Sequence, residues 1–79
     1  MKKKIYYAER YFRGHRYMRV KADAIELIHG TDFLFGKTWL RGKLSTHAHV
    51  VNRLIDDFLK DGIIEAMDAS TGILYRRAR

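Results

Sequence analysis

From residue 51 onward the apolar positions recur with helical spacing. Val51, Leu54, Ile55 and Phe58 fall at i, i+3, i+4 and i+7, which aligns them on one stripe of an α-helix. Ser45 and Thr46 stand ahead of the stripe, and either side-chain oxygen can accept from the amides a first helical turn leaves orphaned. Gly62 follows it and offers the left-handed position on which helices commonly end, with Ile63 or Ile64 folding back on the last turn. The pattern predicts a helix over residues 46 to 61. After Gly62 the period falls to about two, so residues 63 to 67 and 73 to 77 read as strands. Between them Asp68, Ala69, Ser70, Thr71 and Gly72 are turn chemistry, and the pair is expected to form a hairpin.

The upstream half carries weaker versions of the same signals. Residues 38 to 44 predict a short helix with Thr38 as its cap and Trp39, Leu40 and Leu44 to bury. Gly42 lowers its intrinsic stability by ~1 kcal/mol relative to alanine, so tertiary neighbours must hold it. The run Phe33, Leu34, Phe35 suits a short strand. Tyr17, Val20, Ala24, Leu27 and Ile28 form another helical stripe that stops before Gly30, although Asp23 and Glu26 at capping-box spacing would also fit a shorter helix starting at Ala24. The predicted order is helix, short strand, helix, helix, strand, turn, strand. No stretch repeats another.

Two helices joined tightly through residues 44 to 46 make a helix-turn-helix unit, and the hairpin after the second adds a wing. Residues 18 to 77 resemble a winged helix-turn-helix domain of the broad bacterial, archaeal and phage regulator type. Residues 51 to 64, VNRLIDDFLKDGII, carry most of the resemblance, and Tyr75 with Arg76 in the last strand suits it. The fold class it implies is α+β, three helices with a C-terminal β-hairpin wing, here preceded by a basic, aromatic-rich arm or strand. Residues 1 to 16 are then the arm and residues 17 to 79 the domain. The resemblance also implies a recognition helix in the major groove of double-stranded DNA, with His47, His49, Asn52 and Arg53 facing the bases. The residue types agree. All four lie off the apolar stripe in the first two turns, and Asn and Arg can pair bidentately with adenine and guanine. Free amides around Thr46 offer a phosphate site at the helix start.

Charge adds a second anchor. The chain carries a net +7, and the first 21 residues hold eight basic side chains against Glu9 alone, whereas residues 22 to 79 balance eight basic with eight acidic ones. Lys4, Arg10, Arg13 and Arg16 are therefore expected on the phosphate backbone. Lys43, Thr46, Ser70, Thr71, Arg76 and Arg77 are the domain's own backbone candidates. The rings interleaved with the arm's arginines, Tyr6, Tyr7, Tyr11, Phe12 and Tyr17, are too much apolar surface to leave in water. They are expected to pack on the domain or on a second copy, so a homodimer is one outcome. Two features work against DNA: Asp56 and Asp57 follow Arg53 on the helix, and the turn at residues 68 to 72 has no Lys or Arg.

Composition narrows the function classes. No apolar stretch approaches the ~18 residues of a membrane span and the N-terminus has no signal-peptide core, so a cytoplasmic, nucleoid-associated protein is expected. With no cysteine there is neither a disulfide frame nor a thiolate metal site. His47 and His49 are two apart, not the four that aligns ligands on a helix, so neither a metal nor another cofactor is expected. Arg13-Gly14-His15-Arg16-Tyr17-Met18 matches the RNA-recognition signature only in part, and the element order is wrong for that fold. No phosphate-cradling glycine loop or catalytic constellation is present, so no enzyme is expected. The function that follows is sequence-specific DNA binding by a transcriptional regulator. A winged-helix protein–protein module, such as an adaptor or inhibitor, and an RNA-binding protein are the alternatives.

Overall fold

A computed structural model describes residues 12 to 78. Among them the order is α1 (His15–His29), α2 (Lys37–Leu44), α3 (Ala48–Lys60), β1 (Ile64–Ala69) and β2 (Gly72–Arg77). This is an α+β fold: three helices, then a two-stranded antiparallel hairpin. No helix of the described residues is long and apolar enough to cross a membrane.

The core forms where the helical stripes meet. Val50, Val51, Leu54, Ile55 and Phe58 of α3 are buried against Tyr17, Ala24 and Ile28 of α1 and Leu40 of α2, with Phe12, Phe35, Ile64 and Tyr75 completing the cluster. Each large side chain so enclosed contributes ~1.5–3 kcal/mol of hydrophobic stabilisation. The α3 stripe is as the spacing predicts, widened by Val50. Gly62 also takes its expected part, with φ of +75°. The Ile63 amide donates to the Phe58 carbonyl at 2.8 Å and the Gly62 amide to that of Leu59 at 3.2 Å, the paired bonds of a Schellman end.

The starts of the helices differ from expectation. Helix α3 begins at Ala48 rather than residue 46, with His47 as its N-cap and no capping bond from that side chain. Ser45 belongs to the end of α2, where it is left-handed at φ 50°, ψ 50°. Its amide donates to the Gly42 carbonyl at 3.3 Å and that of Thr46 to the Arg41 carbonyl at 3.4 Å. Closing α2 in this way places Ser45 and Thr46 ahead of the α3 N-cap at His47, so neither caps α3. Thr38 does not cap α2 either: the N-cap is Gly36, and Thr38 sits one position inside the helix. Helix α1 runs unbroken from His15, behind an N-cap at Gly14, so the shorter helix from Ala24 does not form.

The hairpin is tighter than the turn chemistry suggests. Asp68 pairs with Ile73 and Ala69 with Gly72, leaving Ser70 and Thr71 as the tip. The required positive φ falls on Gly72, at +130°. The run 33 to 35 contributes a single bridge: Phe35 exchanges backbone bonds with Tyr75 at 2.9 and 2.7 Å. Only Phe35 of the run is buried, while Phe33 and Leu34 remain exposed. The Phe33 ring stands edge-on to Trp39 at 5.4 Å.

Of the N-terminal arm, residues 1 to 11 lie outside the described residues, and with them Lys4, Arg10 and the rings of Tyr6, Tyr7 and Tyr11. Phe12 is buried, its ring T-stacked on Tyr17 at 5.0 Å. Arg16 lies on α1 and is exposed, as is Arg13 just ahead of it.

Candidate nucleic-acid interface

Helix α3 advances about 100° per residue, so burial of Val51, Ile55 and Phe58 turns His49, Asn52, Asp56 and Lys60 outward; all four are exposed. His47, at the N-cap, is exposed as well. The structure thus brings His47, His49 and Asn52 to the leading half of one open helix face. Arg53 departs from this group. It lies on the flank toward α1 with its side chain 34% exposed, its Nε donating to Oδ1 of Asp57 at 3.3 Å. Its guanidinium carbon lies 4.6 Å from the centre of the Phe12 ring.

The two carboxylates that follow Arg53 have different surroundings. Asp56 is on the outward face and exposed. Asp57 is turned toward α1, its side chain 18% exposed, and Oδ2 accepts from the Tyr17 hydroxyl at 2.6 Å. Lys21 approaches the same oxygen at 3.7 Å and reaches Asp61 at 3.9 Å. Partial burial acts to raise the Asp57 pKa. The Tyr17 hydrogen bond, the Lys21 and Arg53 charges and the Arg53 hydrogen bond outweigh it, holding the carboxyl below its usual value. Asp56, in contrast, carries its negative charge on the outward face of the second half of α3.

Packing of α2 on α3 leaves a shallow cleft of about 140 Å³ lined by Lys37, Thr38, Arg41, Ala48, Val51 and Asn52. Lys37, Thr38 and Arg41 were not among the candidates from the sequence. A signal for them is present: no Asp or Glu occurs anywhere in residues 33 to 55, while Lys37, Arg41, Lys43 and Arg53 do. The domain is neutral only as a sum. Its acidic residues lie in or just after α1, in or just after the second half of α3, and in the hairpin, whereas the stretch of α2, the turn and the first half of α3 carries basic residues and no acidic ones. Lys43 is exposed on α2, with its Nζ 5.9 Å from the centre of the Trp39 ring. Thr46 is half-buried in the turn.

The hairpin candidates divide. Ser70 and Thr71 are exposed at the tip. Arg76 is held by its cross-strand neighbour Glu65, Nε to Oε2 at 3.0 Å. Arg77 closes the end of α1 by donating to the His29 carbonyl at 2.5 Å and pairs with Asp32 at 3.6 Å. A cation suits that position, because the last carbonyls of a helix carry partial negative charge. Both arginines thus have structural work within the fold. No protein-family model, no curated protein and no solved structure matches the chain.

Proposed function

We propose that this is a winged-helix protein that binds double-stranded DNA, with α3 in the major groove, as a regulator of transcription would. The observation that carries the reading is the acid-free segment from residue 33 to 55, which spans α2, the turn and the first half of α3. Around its cleft, Lys37 and Arg41 stand beside Asn52. This arrangement suits Lys37 and Arg41 to one phosphate strand and His47, His49 and Asn52 to base edges. Ser70 and Thr71 at the hairpin tip would reach backbone, as neutral donors. Attraction over longer range comes from the surplus of charge in the first 21 residues.

The test is fluorescence anisotropy on mixed-sequence duplexes across a salt series, followed by selection of a preferred site. Contact with about five phosphates gives a log–log slope near −4. Lys37→Ala and Arg41→Ala each weaken binding to every duplex and flatten the slope by about 0.9. Asn52→Ala costs ~1–3 kcal/mol on the selected site and little elsewhere. Absence of binding to any duplex at low salt sinks the reading. The exposed Phe33, Leu34 and Ile73, together with Asp56 on the open face of α3, favour a protein-binding module as the second reading. A single stoichiometric protein partner, recovered with no DNA retained, decides for it.

A further inference from the structure

An exposed ion pair four residues apart on a helix contributes only a few tenths of a kcal/mol. Such a pair would not keep an arginine from a nearby phosphate. The pair of Arg53 and Asp57 is built differently. Its carboxylate is held at the other oxygen: Oδ2 accepts from the hydroxyl of the fully buried Tyr17 at 2.6 Å and faces Lys21 at 3.7 Å. That leaves Oδ1 aimed along the helix surface at Arg53, whose Nε it meets at 3.3 Å. The guanidinium is held on a second side as well, over the ring of the buried Phe12 at 4.6 Å.

Direction matters as much as strength. Long side chains on a helix lean toward its N-terminus, which is the end a helix-turn-helix presents to DNA. Asp57 lies one turn toward the C-terminus, so Arg53 is drawn away from that end. We infer that Asp57 is a positioning residue that holds the Arg53 guanidinium back from the nucleic-acid backbone, suppressing binding that ignores sequence. The inference rests on the duplex-binding reading. Under it, base contact from α3 falls to His47, His49 and Asn52, and an arginine suited to any phosphate is kept out of sequence-independent contact.

The test is the salt dependence of Asp57→Asn on mixed-sequence duplex, beside wild type, Arg53→Gln and the double variant. Freeing one arginine adds about one phosphate contact, so the slope of Asp57→Asn steepens by about 0.9 and its affinity at low salt rises. In the Arg53→Gln background Asp57→Asn leaves the slope unchanged. Asp56→Asn, which removes a charge of the same sign without touching Arg53, acts equally in both backgrounds. An Asp57→Asn slope equal to that of wild type, or a steepening that persists without Arg53, overturns the inference while leaving the duplex reading intact. Should Asp57→Asn fail to fold, the Arg53 Nε–H resonance of the wild-type protein decides. It stays unchanged on adding duplex if Asp57 retains the guanidinium, and a shift on binding overturns the inference. Wild type that binds no duplex removes the reading and the inference with it.

Discussion

Replacing Tyr17 by Phe deletes one oxygen from the interior and leaves the ring, with its edge contact to Phe12, in place. The deleted hydroxyl donates to Asp57 at 2.6 Å across 40 residues of chain, tying α1 to α3. Hydrogen bonds to charged acceptors contribute ~1.5–3 kcal/mol net. Asp57 keeps Lys21 and Arg53 and is 18% exposed, so water can replace part of what is lost and the lower end applies, ~1.5 kcal/mol. For a domain of this size that lowers Tm by about 6–12 °C.

The pH dependence distinguishes this account from simple loss of packing. Asp57 is held below its usual pKa in the folded state. Its contribution is therefore complete above the unfolded value, near ~3.9, and fades as the pH falls through the lower folded value. Urea unfolding followed by Trp39, the single tryptophan, should show the full deficit of Tyr17→Phe near neutral pH and a smaller one once the pH falls below the lowered Asp57 value. A deficit under ~0.5 kcal/mol at neutral pH is within what an inconsequential substitution produces, and would refute the network as a stabilising tie. So would a deficit of equal size at both pH values.

Two stability predictions concern the helix ends. Ser45→Gly should raise stability by ~0.5–1 kcal/mol, because a side chain in the left-handed region is strained and glycine is not; a lower Tm would show that Ser45 holds the turn in another way. Gly42 and Gly62 should respond to alanine with opposite signs. At Gly42, inside α2 with nothing within 4 Å of an added Cβ, alanine gains ~0.5–1 kcal/mol of helix propensity. At Gly62, with φ of +75°, it loses ~1–2 kcal/mol. Thermal melts of the two variants check both, and shifts of like sign would refute the assignment.

Local periodicity made much of this fold legible. The stripe of Val51, Leu54, Ile55 and Phe58 needs only its own spacing to declare a helix. Gly62 and the change of period after it declare the hairpin. The α1 stripe from Tyr17 to Ile28 was legible for the same reason. The boundary between α2 and α3 was not: Ser45 and Thr46 are both good N-cap types, and only the closing bonds of α2 put Ser45 at its end instead. Among candidate site residues, the outward placement of His49 and Asn52 followed from the wheel. Lys37 and Arg41 do not stand out in the charge summed over residues 22 to 79, because the balance of the whole conceals the acid-free segment within it.

What the sequence determined alone was which face of α1 and of α3 turns inward, since that depends on neighbours within two turns. Tertiary structure decided which charges remain available. Asp57 is satisfied by Tyr17 from 40 residues away, and Arg77 by the His29 carbonyl from 48. Arg76 is taken by Glu65 across the hairpin. Hydrogen bonds need direct contact and exposed charges are screened by water and salt, so which partner holds a charged side chain is set by what folding brings within about 4 Å. Arg53 belongs to that second kind. Its spacing puts it on the same helix as the exposed His49 and Asn52, and its packing against Phe12 and Asp57 turns its guanidinium aside.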